Sequence, residues 1–405
     1  MKIIHTADWH IGKILYKQDL HDDHVLFFDW LISFIRENNV DILLVSGDIF
    51  DLANPSSRDL RLYYDVLRRI TDIGTRVILT GGNHDGISML NAPQTLLNIL
   101  NISVTGGVPD DFNEQIIPLG PDPQIPECVV LAVPFLRDKD LRLSVEATVQ
   151  QSKSETIRNA IKNHYDRLMQ EVHSRYGDEV PVIAMGHLFM SGSLTSDSER
   201  DIHIGNLEGM PSRLMSTDVD YWALGHIHKA QMVGGNPKMR YSGSPVYLDF
   251  SESNIEKMVI LLEFDVKRNI NIQMVRIPLF RSLVRFTGNF EYIRQKLESL
   301  ESNGVLPSWI ELDVNEENYH PALIEAFERL TTDYQSEQYS IIKSRIHFSS
   351  GPASLPSIYM TGQTIEDLTP QEVFEKRLET DIMDTNDKDL LREAYNELLE
   401  EVLGE

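Results

Sequence analysis

Short apolar runs that each end in a polar cluster recur along the first half of the chain. The runs lie at residues 2–4, 41–46, 75–80, 181–185 and 221–224, and the clusters at 8–10, 47–48, 81–85, 186–187 and 225–228. Continuous apolar runs bounded by glycine are typical of buried strands, whereas residues 25–36 and 60–70 repeat with the period of a helix. Alternating strands and helices predict a layered α/β fold with its functional site beyond the carboxyl ends of the strands. We therefore expect all these clusters along one edge of one sheet.

The pattern changes after His228. Strands predicted at 239–245, 257–265 and 270–278 close a first domain of residues 1–280. A second, smaller domain at 281–348 is predicted to have strands at 283–286, 309–314 and 340–345 and helices at 290–300 and 321–330. Serine, glycine and proline then indicate a linker at 349–364, followed by C-terminal helices at 365–405.

Two helices are predicted in this C-terminal segment. The sequence Thr-Pro-Gln-Glu at 369–372 combines a capping box with proline at the first helical position, which is a strong helix start. One face of the second helix carries an apolar stripe formed by Leu391, Tyr395, Leu398 and Val402. This stripe either binds another protein or folds back on its own domain, and the pattern favours neither.

Composition and charge narrow the class of protein. The chain has 405 residues, 41% of them hydrophobic and 24% charged, which excludes a collagen, a coiled-coil rod and a largely disordered chain. No apolar run is long enough to cross a bilayer, and the N-terminus lacks the apolar stretch of a signal peptide. The single cysteine, Cys128, cannot form an internal disulfide, so we expect a cytoplasmic enzyme. A net charge of -25 lowers the odds of nucleic-acid binding without excluding it.

Side chains with oxygen or nitrogen donors follow each of the predicted strands. The candidates are Asp8, His10, Asp48, Asn83, His187, His226 and His228. Carboxylate and imidazole ligands together suit Mn²⁺, Fe²⁺ or Zn²⁺, and these side chains exceed what one ion needs. They suit two divalent metal ions that share a bridging carboxylate, an arrangement that recurs in phosphoester hydrolysis. The leaving alkoxide needs a proton, and His84 is its candidate donor.

The same residues, in the same order, resemble the motifs of the calcineurin-like metallophosphoesterases. The motifs are Asp8-x-His10, Gly47-Asp48-x-x-Asp51, Gly82-Asn83-His84-Asp85, Gly186-His187 and Gly225-His226-x-His228. The resemblance implies a layered α/β metallophosphoesterase sandwich. It implies one metal held by Asp8, His10, Asp48 and His228, and a second held by Asp48, Asn83, His187 and His226. It also implies that His84 assists the leaving group and that a carboxylate–imidazole hydrogen bond from Asp51 orients this histidine.

Residues outside those motifs resemble one branch of the family, the SbcD nucleases of bacterial SbcCD complexes. This resemblance rests on residues 5–12, 200–205, 241–245 and 369–374. Leu52 and Ala53 after Asp51, and Asp85 after His84, disfavour the branch of protein Ser/Thr phosphatases. The nuclease branch implies a Mn²⁺-dependent enzyme of DNA repair, recombination and replication. It implies exonuclease action on duplex ends and endonuclease action on single strands and hairpins.

The same resemblance implies partners. An SbcC-like ATPase would bind the C-terminal helices at the base of its coiled coil, and two chains would form a homodimer within a heterotetramer. Residues 281–348 would form a small α+β capping domain that helps to hold DNA over the metals. The work would take place in the bacterial cytoplasm, at the nucleoid, and no membrane partner is implied.

Some alternatives stay open. Lys13, Arg58, Arg137 and Lys139 lie in loops or helix starts and are either phosphate contacts for DNA or ordinary surface charge. A metallophosphoesterase for small phosphodiesters or nucleotides is the second class of function. A scaffold that serves its ATPase partner is a third, which the complete ligand set disfavours. Residues 21–24, His-Asp-Asp-His, have the composition of a metal cluster, but acidic residues also favour a helix start, where they lie.

Overall fold

The computed structural model describes residues 1–142, 153–196, 198–199, 209–264, 269–300, 304–333, 337–350 and 358–359, with residues 374–375, 378, 388–392 and 394–395 of the C-terminal segment. Outside these residues lie most of the predicted linker, the helix start at 369–372, the motif at 200–205, Leu398 and Val402. Among the described residues, none of the helices combines the length and the apolar character needed to cross a bilayer.

The described elements follow one another with short connections. The strands are β1 Lys2–Thr6, β2 Ile14–Leu15, β3 Gln18–Asp19, β4 Ile42–Ser46, β5 Arg76–Thr80, β6 Ile102–Thr105, β7 Ile116–Leu119, β8 Cys128–Ala132, β9 Val182–His187, β10 Tyr221–Gly225, β11 Gln231–Val233, β12 Asn236–Tyr241, β13 Met258–Phe264, β14 Ile270–Arg276, β15 Leu283–Gly288, β16 Ser308–Asn318, β17 Tyr339–Ser350 and β18 Ile358–Tyr359. The α-helices are α1 His21–Asn38, α2 Ser57–Thr71, α3 Ile87–Asn91, α4 Gln94–Ile99, α5 Asp138–Arg142, α6 Lys153–Tyr176, α7 Phe290–Glu298 and α8 Pro321–Asp333. Single 3₁₀ turns lie at Phe112–Gln115, Ser212–Leu214 and Phe250–Glu252.

The first sheet has the strand order β14-β13-β1-β4-β5-β6. Strands β1, β4, β5 and β6 run parallel, and β13 and β14 extend the sheet antiparallel beyond β1. Side chains alternate between its two faces, as the two-residue period of a strand requires. In β4, Leu43 and Val45 pack with α1 and α2, whereas Ile42 and Leu44 face the other way. Both faces are therefore covered, which explains the continuous apolar run.

The second sheet has the order β11-β12-β10-β9-β8-β7. Ile161 and Leu168 of α6 pack on its outer face. The prediction of one sheet is thus wrong, because β1, β4 and β5 belong to the first sheet and β9 and β10 to the second. Strands β7 and β8 and helix α6 were also not predicted, because the chain between Asp85 and Gly186 carries no motif that marks them.

The two sheets stack face to face and form the central core. Ile3, Leu44 and Ile78 of the first sheet pack with Val130 and Ile183 of the second, and all five are fully buried. Each such side chain contributes about 1.5–3 kcal/mol relative to an exposed one. With helices on both outer faces, the layers follow the order α/β/β/α.

Residues 283–350 form a separate sheet with the order β15-β16-β17-β18. The predicted alternation of strand and helix is confirmed here, and β16 and β17 are longer than predicted. Helices α7 and α8 cover one face through Ile293 and Phe327, which pack against Ile310 and Leu312. The three longer strands run parallel.

A buried ion pair joins this sheet's region to α1. The Arg281 guanidinium donates to the Asp23 carboxylate at 2.9–3.0 Å, and the two side chains are 7% and 6% exposed. The guanidinium carbon also lies 3.9 Å from the centre of the Trp309 ring. Because the guanidinium occupies the carboxylate of Asp23, residues 21–24 do not form a metal site.

Two parts of the C-terminal segment pack together. The rings of Phe374 and Tyr395 stack with centroids 4.0 Å apart, and Arg392 donates to the Glu375 carboxylate at 2.9–3.0 Å. Leu391 remains 39% exposed. Of the predicted apolar stripe, Tyr395 therefore packs within the segment and Leu391 faces solvent.

Candidate metal centre

The loops that follow β1, β4, β5, β9 and β10 meet where the two sheets end. The main-chain N of Asp8 donates to Gly47 O, and that of His10 to Asp48 O, both at 3.0 Å. Across the sandwich, the main-chain N of His226 donates to Oδ1 of Asp8 at 2.8 Å. Both sheets thus contribute to a single site.

The backbone is strained at this site. Asp8, His10, Asp48 and His226 have φ angles of 53°, 46°, 50° and 101°. Residues with a Cβ rarely adopt this left-handed region, and each such conformation costs about 1–3 kcal/mol. Such strain is concentrated at functional sites, where the surrounding structure enforces it. The sequence pattern contained no signal for it.

Two glycines allow the loops to approach one another. A Cβ on Gly225 would lie 1.8 Å from Ser46 O, and a Cβ on Gly82 would lie 2.1 Å from Oδ1 of Asp48. No side chain fits at either position, because both distances are far below van der Waals contact. The glycines of these motifs are therefore required by packing around Asp48.

The candidate ligands form two groups. Within each group the ligand atoms lie within 4.8 Å of one another, and the groups are Asp8 with His10 and His228, and Asp48 with His187 and His226. Asn83 adjoins the second group, since its Oδ1 lies 2.9 Å from Nε2 of His187. Oδ2 of Asp48 lies 3.5 Å from Nε2 of His10 and 3.3 Å from Nε2 of His187. Asp48 is thus placed between the groups.

The buried atoms of this site fit metal ions. Oδ2 of Asp8 and Nε2 of His10 have no hydrogen-bond partner within the part of the chain that the structure describes. Both residues are buried, and a buried polar atom without a partner costs about 1–3 kcal/mol. A cation bound there would satisfy both atoms. Carboxylate, imidazole and amide donors without thiolate suit divalent ions such as Mn²⁺.

Opposite charges in this centre shift the pKa values of its members. Burial raises the pKa of Asp8 to about 7. Burial acts in the same direction on Asp48, but His187 and His84 hold the pKa of Asp48 well below its usual value. Burial opposes a charge on His187, yet Asp48 and Asp8 raise its pKa to about 9. Burial and His187 hold the pKa of His226 well below its usual value. Protons therefore occupy positions that metal ions would replace.

His84 lies beside both groups. Its ring meets that of His10 edge to face with centroids 4.7 Å apart, and its main-chain N donates to Oδ1 of Asp48 at 2.9 Å. Nδ1 donates to the main-chain oxygen of Asp51 at 2.8 Å. The predicted hydrogen bond from His84 to the Asp51 carboxylate is wrong, because Oδ1 lies 4.0 Å from Nδ1.

The Asp51 carboxylate instead orients His10. Its Oδ1 accepts from Nδ1 of His10 at 3.2 Å and lies 3.3 Å from Nζ of Lys13. Burial would raise the pKa of Asp51, but Lys13 and His10 hold it below its usual value. Residue types alone do not distinguish a main-chain acceptor from a side-chain acceptor, so the sequence placed Asp51 near the site without its contacts.

The basic side chains predicted to contact DNA differ in their surroundings. Lys139 is exposed on α5. Arg58 is exposed as well and forms an ion pair of 2.5 Å with Asp19. Lys13 is half-buried and engaged with Asp51, so it lies beside the metal centre.

The predicted DNA contact of Arg137 is wrong. This side chain is only 5% exposed, and its guanidinium donates to the main-chain oxygen of Asp85 at 3.0 Å. The carboxylate of Asp85 accepts in turn from the main-chain N of Gly82, Ile49 and Phe50 at 2.8–3.1 Å. Arg137 and Asp85 therefore hold together the loops after β4 and β5, a structural role that the sequence pattern did not reveal.

Two glutamates that sequence reasoning did not single out contact His228. Oε1 of Glu199 accepts from its main-chain N at 2.8 Å, and Oε1 of Glu252 lies 3.3 Å from its Nδ1. Burial opposes a charge on His228, but Glu252 raises its pKa. Neither glutamate follows one of the predicted strands, so local pattern provides no signal for either contact.

Comparison with known families agrees with this geometry. Residues 1–230 match the family model described as calcineurin-like phosphoesterase. The chain belongs to the calcineurin-like phosphoesterase family. This assignment confirms the layered α/β fold expected from the sequence. Residues 279–381 of the phosphoesterase match a second model, described as the type 5 capsule protein repressor C-terminal domain.

Similar proteins from several bacteria are SbcD proteins, each named as a component of the nuclease SbcCD. The phosphoesterase is 29% identical to the SbcD protein of Escherichia coli K12 over 100% of its own length and 99% of the relative's. It is 35% identical to the Rhodobacter capsulatus protein over 65% and 66% of the two chains. Identity to the Bacillus subtilis protein is 28% over 78% and 79%.

Proposed function

We propose that this phosphoesterase is the nuclease component of an SbcCD-type complex and hydrolyses phosphodiester bonds of DNA. The observation that carries the proposal is the buried centre with two ligand groups on either side of Asp48. Full-length similarity to the E. coli SbcD protein narrows the substrate class to DNA. The enzyme acts as an exonuclease on duplex ends and as an endonuclease on single strands and hairpins, in repair, recombination and replication.

The metal ligands fall into two sets. One ion is held by Asp8, His10, Asp48 and His228, and the other by Asp48, Asn83, His187 and His226. Asp48 bridges the ions, in agreement with the short distances from its Oδ2 to an imidazole of each group. Manganese is the metal that we assign, and the donor types support it. When bound, the two ions activate water and neutralise charge on the phosphoryl oxygens.

His84 supplies the proton for the leaving oxygen. Its Nδ1 donates to the main-chain oxygen of Asp51, and a carbonyl oxygen can only accept, so Nδ1 carries a hydrogen. Nε2 is then the nitrogen that gains or loses a proton. A histidine in this position contributes a factor of about 10²–10⁴ to the rate.

We divide the chain into a nuclease domain at 1–280, a capping domain at 281–348, a linker at 349–364 and C-terminal helices at 365–405. The capping domain holds DNA over the metals. Its support is a charged face in which Lys343 and Arg345 pair with Glu311 and Asp313, opposite the side covered by helices. Lys343 also contacts the hydroxyl of Tyr16, between β2 and β3. This contact brings the charged face close to the loop that follows His10.

The partners are an SbcC-like ATPase with a coiled coil and a second copy of this chain, arranged as a heterotetramer. The ATPase binds the C-terminal helices, where Leu391 is 39% exposed. The second copy covers α4, on which Leu96 and Ile99 are 68% and 75% exposed. DNA processing at the nucleoid places the complex in the cytoplasm.

The direct test of the nuclease proposal compares two substrates. Purified protein with Mn²⁺ is given end-labelled duplex DNA in one assay and bis-p-nitrophenyl phosphate in a second. We expect shortening of the labelled strand, together with hydrolysis of the small diester. Hydrolysis of the small diester with intact DNA would favour the alternative, a phosphoesterase for small phosphodiesters or nucleotides.

The ATPase proposal has its own test. Deletion of residues 365–405 should abolish co-purification with the coiled-coil ATPase while Mn²⁺-dependent hydrolysis of bis-p-nitrophenyl phosphate persists. Unchanged co-purification would contradict the docking role of this segment.

A further inference from the structure

The carboxylate of Glu252 lies directly behind the imidazole of His228. Its Oε1 is 3.3 Å from Nδ1 of His228, and the hydroxyl of Ser198 bridges the pair at 2.6 Å from Nδ1 and 2.5 Å from Oε1. Glu252 is fully buried at the end of a 3₁₀ turn. A carboxylate in this position accepts a hydrogen from Nδ1, so the lone pair of the ring is left on Nε2.

A second buried charge keeps this carboxylate in place. Nζ of Lys257 lies 2.6 Å from Oε2 of Glu252 and 2.7 Å from Oγ of Ser244, and only 6% of Lys257 is exposed. The main-chain N of Leu248 donates to the same Oε2 at 3.1 Å. Both oxygens of Glu252 are therefore engaged, and the ion pair is compensated within the protein.

The backbone of His228 is held independently of its ring. Its main-chain N donates to Oε1 of Glu199, whose other oxygen accepts from Ser196. With the main chain anchored in this way, the remaining freedom of His228 is the orientation of its imidazole. Glu252 and Ser198 remove that freedom.

We propose that Glu252 is the positioning residue for the metal bound by Asp8, His10 and His228. By accepting from Nδ1 it fixes the tautomer and the orientation in which Nε2 faces the ion. His10, in the same ligand group, has an equivalent partner in Asp51, which is neutralised by Lys13 as Glu252 is by Lys257. Both imidazoles of this group are thus backed by a carboxylate, which raises their basicity toward a metal.

The other ligand group differs in this respect. Nδ1 of His187 donates to the main-chain oxygen of Ser46 at 2.9 Å, a neutral acceptor. Removal of the Glu252 charge should therefore weaken metal binding at the Asp8 group and leave the His187 group largely unchanged. Metal binding would then be lost from one site selectively.

The inference rests on the proposed two-metal function, and Mn²⁺ titration of the full chain tests it. Isothermal titration calorimetry of the wild-type protein should show two bound ions. In Glu252→Gln the affinity for one of them should fall by about 10- to 100-fold, as is typical when the hydrogen-bond partner of a ligand is lost. The matched control is Glu256→Gln, because Glu256 pairs with Arg276 on the surface nearby, and it should bind both ions as the wild type does.

A double variant separates positioning from folding. Glu252→Gln leaves Lys257 buried without its charged partner, whereas Glu252→Gln combined with Lys257→Met removes both charges. We expect the double variant, without metal, to unfold in urea close to the wild-type midpoint and still to bind one Mn²⁺ weakly. Two ions bound with wild-type affinity in the double variant would overturn the proposal. Failure of the wild type itself to bind Mn²⁺ would instead overturn the proposed function.

Discussion

Two aspartate–histidine pairs close together in the sequence have opposite surroundings. Asp8 and His10 are 0% and 1% exposed, and Asp23 and His24 are 4% and 0% exposed. Three hydrogen bonds from Arg281 occupy the carboxylate of Asp23. Oδ2 of Asp8 and Nε2 of His10, by contrast, have no such partner among the described residues. Burial and residue type are shared, so the feature that marks a metal site is the unsatisfied buried atom.

The imidazole of His24 adds to this contrast. Its Nδ1 faces Leu20 O at 2.8 Å and its Nε2 faces Trp9 O at 2.6 Å. Carbonyl oxygens only accept hydrogen bonds, so neither nitrogen offers a lone pair to a metal. The pair of Asp23 and His24 joins α1 to its neighbours, whereas Asp8 and His10 lie at the end of a strand with their backbone in the left-handed region.

The largest effect is expected from Asp48→Asn. This carboxylate lies between both ligand groups, so its loss should weaken binding of both ions and reduce DNA cleavage to the level without enzyme. Mn²⁺ titration and cleavage of end-labelled duplex measure the two effects. The contrasting variant is Asp23→Asn, which should still bind two ions; equal metal binding by both variants would remove the distinction between the pairs.

His84→Gln should lower kcat for DNA cleavage by about 10²- to 10⁴-fold, because it removes the proton donor. Mn²⁺ binding should remain at two ions, since His84 belongs to neither proposed ligand set. Single-turnover cleavage of labelled duplex at saturating Mn²⁺ measures the rate. Wild-type cleavage by this variant would refute the assigned role.

Asp23→Ala should destabilise the fold by about 3–5 kcal/mol, because it leaves the Arg281 guanidinium buried without its partner. Urea unfolding followed by circular dichroism measures the free energy of unfolding. Asp22→Ala is the matched control, since Asp22 is exposed on the same turn of α1 and should change that free energy by less than about 0.5 kcal/mol. Equal stability of the two variants would show that the joint with Arg281 contributes nothing.

The sequence predicted the metal centre better than its framework. Continuous apolar runs bounded by glycine locate β4 and β5 and the ligands that follow them, because this pattern is local. Membership of two different sheets is not local, and neither is the contact of Glu252 with His228. Arg137 illustrates the same limit: its position in a loop predicted a surface charge, and only the packing shows it buried under Asp85.

The smallest effect is expected from Lys139→Ala. If the exposed Lys139 contacts a DNA phosphate, its loss should weaken binding equally for all sequences and lower the salt slope by about one. Fluorescence anisotropy of labelled DNA at several salt concentrations measures this slope. Arg58→Ala should change it less, because Arg58 is paired with Asp19. An unchanged slope in Lys139→Ala would assign this residue to ordinary surface charge.

Anomalous diffraction from crystals soaked in Mn²⁺ tests the two-metal centre most directly. Two peaks are expected on either side of Asp48, one against Asp8, His10 and His228 and the other against Asn83, His187 and His226. The region of Asp23 and His24 should show none. A site without peaks at Asp48, or a peak beside Asp23, would contradict the account.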